Sequence, residues 1–332
     1  MKIVILSEKP SITRIIAPVI AQKWAGHDVI VLHTMGIGAY QYRLPRGLKW
    51  TSYPLVEQPQ LLIHRPGHQY MPYRVAPCQG ATKGRWVAAP EVEPISTLKA
   101  ADKIVFACDS DHTGVMGFFI TLSGALGEDA ALERREAIVL RSLDEESIRS
   151  VFENMAIYPD DLQEFFHYGQ AKRYFDHNFN LNSLSILGKT LSSSGIDSSQ
   201  HALSKYGLQA LYFIRRNPGL TDGALIEKLH HWTGTGKYLN DNHAVMLGSP
   251  MSTVAIVKQL LDMGAIQQQG RKIHLSPLGD HMIQNLHPDC EDPDLPFRLN
   301  AWCEAGLDIS RPAMDRYLVR FFGKQKRLLD RK

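Results

Sequence analysis

The chain has 332 residues, with 37 Lys and Arg against 34 Asp and Glu, which gives a formal net charge of +3. Hydrophobic residues make up 44% and charged residues 21%. This balance excludes a largely disordered chain and indicates about two globular domains. No apolar run approaches the roughly 18 residues of a membrane span. The apolar start, Lys2 to Leu6, is interrupted at once by Ser7–Pro10, so it predicts a strand rather than a secretory signal.

The cysteine spacing indicates whether the chain is a zinc-binding or a disulfide-linked protein. Cys78, Cys108, Cys290 and Cys303 have no CxxC spacing. The pattern argues against a zinc site and against a disulfide framework, and it favours a reducing cytoplasm.

The small net charge conceals an uneven distribution. Residues 1–90 carry eleven Lys or Arg and three Asp or Glu, a net charge of +8. Residues 316–332 have a net charge of +6, which leaves −11 for the stretch between them. The basic ends are compatible with a polyanionic partner, although a basic tail is also common on ordinary solvated surfaces.

In chain order, the first 125 residues alternate between strand and helix patterns. The predicted elements are a strand at 2–6, a helix at 11–24, a strand at 27–32, a helix at 95–101, a strand at 103–108 and a helix from about 114. This alternation predicts an α/β domain with a mainly parallel sheet over residues 1–145. Ligands of such sheets bind at the carboxyl ends of the strands.

The rest of the chain has a different pattern. Residues 143–179 and 203–216 have helical spacing. Residues 220–290 predict two helices followed by two short strands around a Gly270-Arg271 turn, which is the outline of a winged helix; a plain helical subdomain with one hairpin fits equally well. We therefore predict a mainly helical domain over 146–332, with a winged-helix-like segment and a basic tail.

Acidic residues follow two of the predicted strands. Asp109 and Asp111 come directly after the strand at 103–108, and Glu8 follows the first strand. Strand ends that are distant in sequence can be neighbours in an α/β sheet, so the three carboxylates could share a cleft. Carboxylate oxygens are ligands that Mg²⁺ prefers. Taken singly, such residues are more often helix caps or solvated loop acids.

These motifs carry a resemblance to a known family. Val4-Ile5-Leu6-Ser7-Glu8-Lys9-Pro10-Ser11 resembles the opening of the type IA DNA topoisomerases, in particular topoisomerase III, and Asp109-x-Asp111-x-x-Gly114 resembles the second acidic motif of their Toprim fold. Further matches in the order of the family are residues 169–176, 203–216 with Gln209, and 220–286. The resemblance implies a Toprim-like first domain, a Mg²⁺ site at Glu8, Asp109 and Asp111, and DNA as the partner.

The chain departs from the family in two respects. Thr113 stands where the family has a third carboxylate, which implies a weakened Mg²⁺ site. The middle domains that form the family's gate are missing, because only residues 216–222 separate the two family-like segments, and the context of the nucleophilic Tyr is absent. Tyr238 and Tyr174 are the remaining candidate nucleophiles, and a structural or base-stacking role is the more common one for each.

Several side chains are candidates for DNA contact. Lys9 would lie beside a bound phosphate by the resemblance, and Arg271 and Lys272 would occupy the tip of the proposed wing. The other candidates are Lys172, Arg173, Lys324, Lys326 and Arg327. Contacts of this kind give salt-dependent affinity with little sequence preference. Trp50, Tyr53, Tyr70, Tyr73 and Trp86 could stack on unpaired bases or simply fill cores.

The resulting hypothesis is a compact relative of the type IA topoisomerases that lacks the gate. It would bind DNA, single-stranded or at a junction, with no membrane association. It would serve as an accessory factor in replication, plasmid transfer or another mobile-element process, with a protein partner in a DNA-processing complex. Two enzymatic alternatives remain open, a Mg²⁺-dependent Toprim nuclease or nicking enzyme and a minimal topoisomerase with an unusual Tyr nucleophile.

Overall fold

The chain folds into two compact units. The computed structural model describes residues 1–41, 47–63, 70–76, 85–239 and 245–331. The first unit comprises residues 1–41 and 59–170, and the second comprises residues 42–58 and 171–332. The domain division predicted after residue 145 stays a prediction.

A seven-stranded sheet forms the centre of the first unit. The strands of this unit are β1 (Lys2–Ser7), β2 (Asp28–His33), β3 (Gly38–Gln41), β4 (Gln60–Ile63), β5 (Tyr73–Ala76), β6 (Arg85–Ala88), β7 (Lys103–Ala107), β8 (Arg135–Ala137) and β9 (Ala156–Tyr158). The main sheet has the order β6-β5-β2-β1-β7-β8-β9, and β3 pairs with β4 separately. The four inner strands, β2, β1, β7 and β8, are parallel, whereas β5, β6 and β9 are antiparallel to their neighbours. The α/β architecture with a mainly parallel sheet is thus confirmed.

Helices cover both faces of this sheet. They are α1 (Pro10–Lys23), α2 (Thr34–Ile37), α3 (Pro94–Lys99), α4 (His112–Leu126), α5 (Glu128–Ala131), α6 (Glu145–Glu153) and the part of α7 (Gln163–Asn182) up to residue 170. Residues of β1 alternate between the two layers: Val4 and Leu6 pack with α4, while Ile3 and Ile5 pack with α1 and α6. A strand buried on both faces needs apolar residues at every position, which is why its sequence is an uninterrupted hydrophobic run.

The prediction of continuous helix over 143–179 was wrong. β9 separates α6 from α7 and completes the edge of the sheet. The Tyr158 ring is completely buried, 4.7 Å from the Phe118 ring centroid and 5.9 Å from that of Phe106. Packing of this ring against the sheet core outweighs the local helical spacing, which a pattern of apolar residues cannot reveal.

The second unit is mainly helical. After the last residues of α7 and a π-helical stretch, Ser183–Leu187, its helices are α8 (Gly188–Ser193), α9 (Lys205–Arg216), α10 (Asp222–His230), α11 (Pro250–Asp262), α12 (Pro277–Gln284), α13 (Leu295–Ala305) and α14 (Leu307–Leu329). Among the described residues, no helix combines the length and the apolar character needed to cross a membrane.

Within residues 220–239 and 245–275, a small antiparallel sheet is accompanied by two helices. The sheet has the order β10 (Leu220–Thr221), β12 (Lys272–Leu275), β11 (Ile266–Gln269), and α10 and α11 lie between β10 and β11 in the chain. Thr221 and Ser249 cap α10 and α11 by accepting backbone N–H bonds, as their positions predict. The predicted hairpin is present, with Gln269 paired to Lys272 across the Gly270-Arg271 turn.

Two asparagines hold the segment 47–58 against α7 within the second unit. Asn182 accepts from the Leu55 N–H at 2.7 Å and donates to the Leu55 carbonyl at 2.7 Å. One helical turn earlier, Asn178 accepts from the Glu57 N–H at 2.6 Å and donates to the Glu57 carbonyl at 2.8 Å. Each amide therefore satisfies both backbone groups of one extended residue, as a neighbouring strand would.

A buried ion triad ties α7 to the start of α9. The Asp176 carboxylate accepts from Lys172 Nζ at 2.6 Å and from Lys205 Nζ at 2.5 Å. Burial by itself raises the pKa of Asp176, but the charges of Lys172 and Lys205 outweigh it and hold that pKa well below its usual range. The triad keeps the carboxylate ionised inside the protein.

We expect Asp176→Asn to lower the free energy of unfolding by about 3–5 kcal/mol, because it leaves two buried ammonium groups without their counterion. The matched control is Lys258→Met, which breaks an exposed ion pair with Asp262 and should cost less than about 0.5 kcal/mol. Urea denaturation followed by circular dichroism measures both. Equal costs for the two variants would contradict a stabilising triad.

Candidate functional site

The carboxyl edge of the parallel sheet brings Glu8 and Asp109 together. β1 and β7 are neighbours, with Ser7 aligned to Ala107, so the residues that follow each strand emerge side by side. The Asp109 carboxyl group is close enough to act on Glu8 through its charge, which adds to the effect of burial in raising the pKa of Glu8. This juxtaposition is the one that parallel strand ends allow and that the spacing of the two motifs anticipates.

Lys9 balances part of the negative charge at this edge. Its Nζ lies 3.2 Å from Asp109 Oδ2, and both side chains are partly exposed. The pKa of Lys9 is raised, chiefly by its hydrogen bond to Asp109. The ammonium group is therefore held charged at this edge of the sheet.

Glu8 is the buried member of this group. Only 8% of the residue is exposed, and its Oε2 has no hydrogen-bond partner among the described residues. Burial, followed by the charge of Asp109, raises the pKa of Glu8 to about 7, while Lys9 opposes the shift. A carboxyl group in this state accepts a proton or a cation readily near neutral pH.

Asp111 has a structural role as a helix cap. It is the N-cap of α4, and its Oδ1 accepts from the backbone N–H groups of Thr113 and Gly114, both at 2.8 Å. Gly114 is required at its position, because a Cβ there would lie 2.2 Å from the carbonyl oxygen of Asp109. The Asp109-x-Asp111-x-x-Gly114 spacing thus builds a tight turn from strand to helix.

These carboxylates meet only part of the requirement for a metal ion. Within the described ranges, no group of three or more His, Cys, Asp or Glu side chains is arranged to hold a metal. Glu8 and Asp109 nevertheless face each other and leave one buried carboxylate oxygen unpartnered. Mg²⁺ is usually held by one or two carboxylates plus water and phosphate oxygens, so this pair fits a two-carboxylate site. Asp111 as a third ligand stays a prediction.

A buried hydrogen-bond chain supports the turn that carries Glu8 and Lys9. Thr13 Oγ1 lies 3.1 Å from Ser7 Oγ, from the Lys9 carbonyl and from His33 Nε2. Burial lowers the pKa of His33 to about 4, so the ring is neutral at neutral pH. This hydrogen-bond chain was not predicted from the sequence. The available signals were a Thr four residues after Lys9 and a His that ends the neighbouring strand.

The two candidate tyrosine nucleophiles occupy structural positions. Tyr174 is 1% exposed, donates to Asp315 Oδ1 at 2.8 Å, and has a pKa raised to about 12, chiefly by burial. Tyr238 stacks on Phe297 at 5.0 Å, with Lys237 Nζ 4.7 Å from its ring centroid. These contacts favour the structural interpretation over nucleophilic attack, most strongly for Tyr174.

The basic side chains singled out on α7 and in the hairpin differ in their surroundings. Lys172, rather than Arg173, pairs with Asp176 and is largely buried by the ion triad. Arg271 and Lys272 are exposed at the tip of the hairpin, with no ion pair among the described residues. A role for any of them in DNA contact stays a prediction.

The tail residues also divide into paired and unpaired cations. Lys324 forms an ion pair with Asp289, and Lys326 donates to the Tyr53 carbonyl at 2.8 Å. Arg327 is exposed and makes no ion pair within the described part of the chain. Only the last of these three predicted contact residues presents an uncommitted charge.

Most of the predicted stacking aromatics pack against protein groups. Lys189 Nζ lies 3.4 Å from the centroid of the Trp50 ring, and Trp50 Nε1 donates to Asp330 at 2.7 Å. Tyr53 is buried, and Tyr73 makes an edge contact with Trp86 at 6.0 Å. These contacts favour packing over base stacking at these positions.

We expect the contribution of Glu8 to stability to fall as pH rises from about 4.5 to 7, because folded Glu8 retains a proton that the unfolded chain releases. His33, whose pKa is lowered to about 4, acts in the opposite direction below about pH 6.5 in both proteins, so the comparison is between the wild type and Glu8→Gln. Above about pH 7 ionised Glu8 destabilises the folded state by a constant amount of roughly 3 kcal/mol. Glu8→Gln should remove this decrease and be more stable than the wild type at pH 8. Urea denaturation across this pH range in EDTA measures the difference. The same pH dependence in Glu8→Gln and in the wild type would contradict the assignment.

Comparisons with known proteins give matches among solved structures alone. No model of a known protein family matches the chain, and no curated protein matches it. Among solved structures, full-length topoisomerase I from Thermotoga maritima in a monoclinic crystal form is similar over 64% of this chain, with 18% sequence identity and a TM-score of 0.39. The similarity spans 29% of that topoisomerase chain. A similarity at this TM-score carries no argument about function.

Proposed function

We propose that this chain is a DNA-binding protein that resembles a type IA topoisomerase without its gate. The observation that carries the proposal is the pairing of Glu8 with Asp109 at the carboxyl edge of a parallel sheet, with Lys9 Nζ 3.2 Å from Asp109. The partly exposed Lys9 ammonium group suits the binding of a DNA phosphate, and a cation held by the acid pair would remove the repulsion between the carboxylates and that phosphate. The family resemblance of the same motifs supports the choice of DNA as the partner.

Lys9 is the residue that we assign to the phosphate. Its side chain is partly exposed, so the ammonium group can turn from Asp109 to a bound phosphate oxygen without a change of fold. The contact is electrostatic and independent of base sequence.

Glu8 and Asp109 are the residues that would hold Mg²⁺. The ion would neutralise the acid pair and supply positive charge to a DNA phosphate. Thr113 supplies no carboxylate ligand at this edge of the sheet, so we expect Mg²⁺ to bind weakly there.

The three-stranded sheet with α10 and α11 supports a second DNA-binding element. The order strand, helix, helix, hairpin is the outline of a winged helix, and we assign that role to residues 220–290. Arg271 and Lys272 at the exposed hairpin tip are then the wing contacts to the DNA backbone.

An accessory role in DNA processing suits these features better than strand passage. Strand passage needs an accessible Tyr that attacks a phosphate, and Tyr174 and Tyr238 are both engaged in packing. A Mg²⁺-dependent nuclease or nicking enzyme is the second candidate, because the acid pair could hold one metal ion that polarises a phosphate.

Incubation with supercoiled plasmid and with labelled single-stranded DNA, with and without Mg²⁺, tests the proposal. We expect binding that salt weakens, with no relaxation and no covalent protein–DNA adduct. Relaxation accompanied by an adduct would overturn the accessory role. Mg²⁺-dependent cutting that is lost in Asp109→Asn would establish the nuclease instead.

Lys9→Met should weaken DNA binding and reduce the slope of log K against log salt by about 1, since it removes one phosphate contact. Lys258→Met is the control, because it also removes one exposed lysine charge, and it should leave the slope unchanged. Fluorescence anisotropy over a salt series measures both. An unchanged slope in Lys9→Met would remove Lys9 from the interface.

Calorimetric titration of Mg²⁺ into the free protein tests the metal site without any activity assay. Glu8→Gln should bind at least about tenfold more weakly than the wild type, because it loses a charged oxygen ligand. The control Asp308→Asn removes an exposed acid from the start of α14 and should bind like the wild type. Equal affinities in all three proteins would exclude Glu8 as a ligand.

A further inference from the structure

One face of α14 carries a line of arginines. Arg316, Arg320 and Arg327 belong to the helix, and Arg331 follows in the turn after it. At about 100° per residue, the three helical positions fall within an arc of about 40° on one side of the helix. All four are exposed, and none makes an ion pair with another described residue. We call this set the arginine ridge.

The opposite side of α14 explains why the ridge faces solvent. Met314, Leu318, Phe321 and Phe322 are buried, and they centre about 150° or more from the ridge around the helix. Gln325 on the same buried side is completely enclosed and donates to Thr190 Oγ1 at 2.9 Å. Because this side is packed within the second unit, the ridge has a fixed orientation.

Three acidic groups near the ridge already have partners of their own. Asp315 lies about 100° away around the helix and accepts from Tyr174. Asp289 is paired with Lys324, and Asp330 accepts from Trp50 Nε1. Asp330, about 40° from Arg316 around the helix, keeps its charge, so this side of α14 presents four arginines against one aspartate.

Glycine at position 323 makes the ridge more continuous. Gly323 lies between Arg320 and Arg327 on the same side, and a Cβ there would come 3.6 Å from Arg327 Nη1. The Arg327 guanidinium therefore lies back over the helix toward Arg320, as side chains in helices generally do. The helical part of the ridge, from Arg316 to Arg327, runs for roughly 16 Å at 1.5 Å per residue.

We infer that the arginine ridge binds the phosphate backbone of duplex DNA. Guanidinium groups match phosphate oxygens in bidentate geometry, and three of them along one side of a helix, with a fourth in the turn that follows, suit a polyanion with regularly spaced charges. The inference rests on the proposed DNA-binding function and specifies duplex DNA as the ligand of the ridge. The bases are not read, so affinity is independent of sequence and depends strongly on salt.

The test compares the wild type with a variant carrying Arg316→Gln, Arg320→Gln, Arg327→Gln and Arg331→Gln. We expect this ridge variant to bind a 20-base-pair duplex on the order of 100-fold or more weakly than the wild type in about 0.1 M salt. The slope of log K against log salt should also fall in magnitude by about 3 to 4. The control variant replaces four exposed cations of the first unit by Gln, at Lys99, Arg134, Arg141 and Arg149, and therefore removes the same net charge. It should keep most of the salt slope.

A second variant guards against a folding defect. Replacing the same four arginines by Lys keeps the charges and loses the bidentate contacts, so it should retain the salt slope with a smaller loss of affinity. Circular dichroism melting confirms that each variant is folded.

The outcomes separate the two proposals. If the wild type binds no DNA, the proposed function fails. If the wild type binds duplex and the folded ridge variant keeps the same slope, the ridge inference fails while the proposed function stands. Binding of the wild type to vesicles of anionic phospholipid through the ridge, without binding to duplex, would overturn the inference in favour of a lipid surface.

Discussion

The parallel pairing of β1 with β7 is the contact on which the site depends. Both strands are buried on both faces, so their register is set by packing in two separate apolar layers. That register places Glu8 beside Asp109, although 100 residues separate them in the chain. A shift of one residue would exchange the two layers of β1 and move Glu8 away from the edge.

The same turn that presents Asp109 also restricts Asp111. Close approach of Gly114 to the Asp109 carbonyl and the capping of α4 by Asp111 make one rigid strand-to-helix connection. A carboxylate used as a helix cap has less freedom to follow a ligand. The chemistry at this edge is therefore concentrated in Glu8, Asp109 and Lys9, and the buried Ser7–Thr13–His33 chain keeps their backbone in place.

In the second unit, residues of one type have different roles according to their surroundings. Lys172 and Lys205 neutralise a buried aspartate, whereas Arg327 faces solvent. Desolvation makes an unpaired buried charge costly, so the interior cations are committed to Asp176. The exposed cations on α14 have no such constraint and remain available to a ligand.

The sequence by itself determined the α/β order, the parallel sheet, the caps at Thr221 and Ser249 and the hairpin after α11, because each depends on local periodicity or on one turn. It also indicated which acidic residues end β1 and β7. It failed for β9, where long-range packing of Tyr158 outweighs a helical pattern.

Only the tertiary structure decided which of these side chains are available for function. Burial makes Tyr174 part of the core, the ion pair with Asp176 engages Lys172, and capping engages Asp111. The arginine ridge was present in the sequence as helical spacing, but its significance depends on which side of α14 is buried. Solvent exposure and partner distance are properties of the folded chain, so composition and spacing could not supply them.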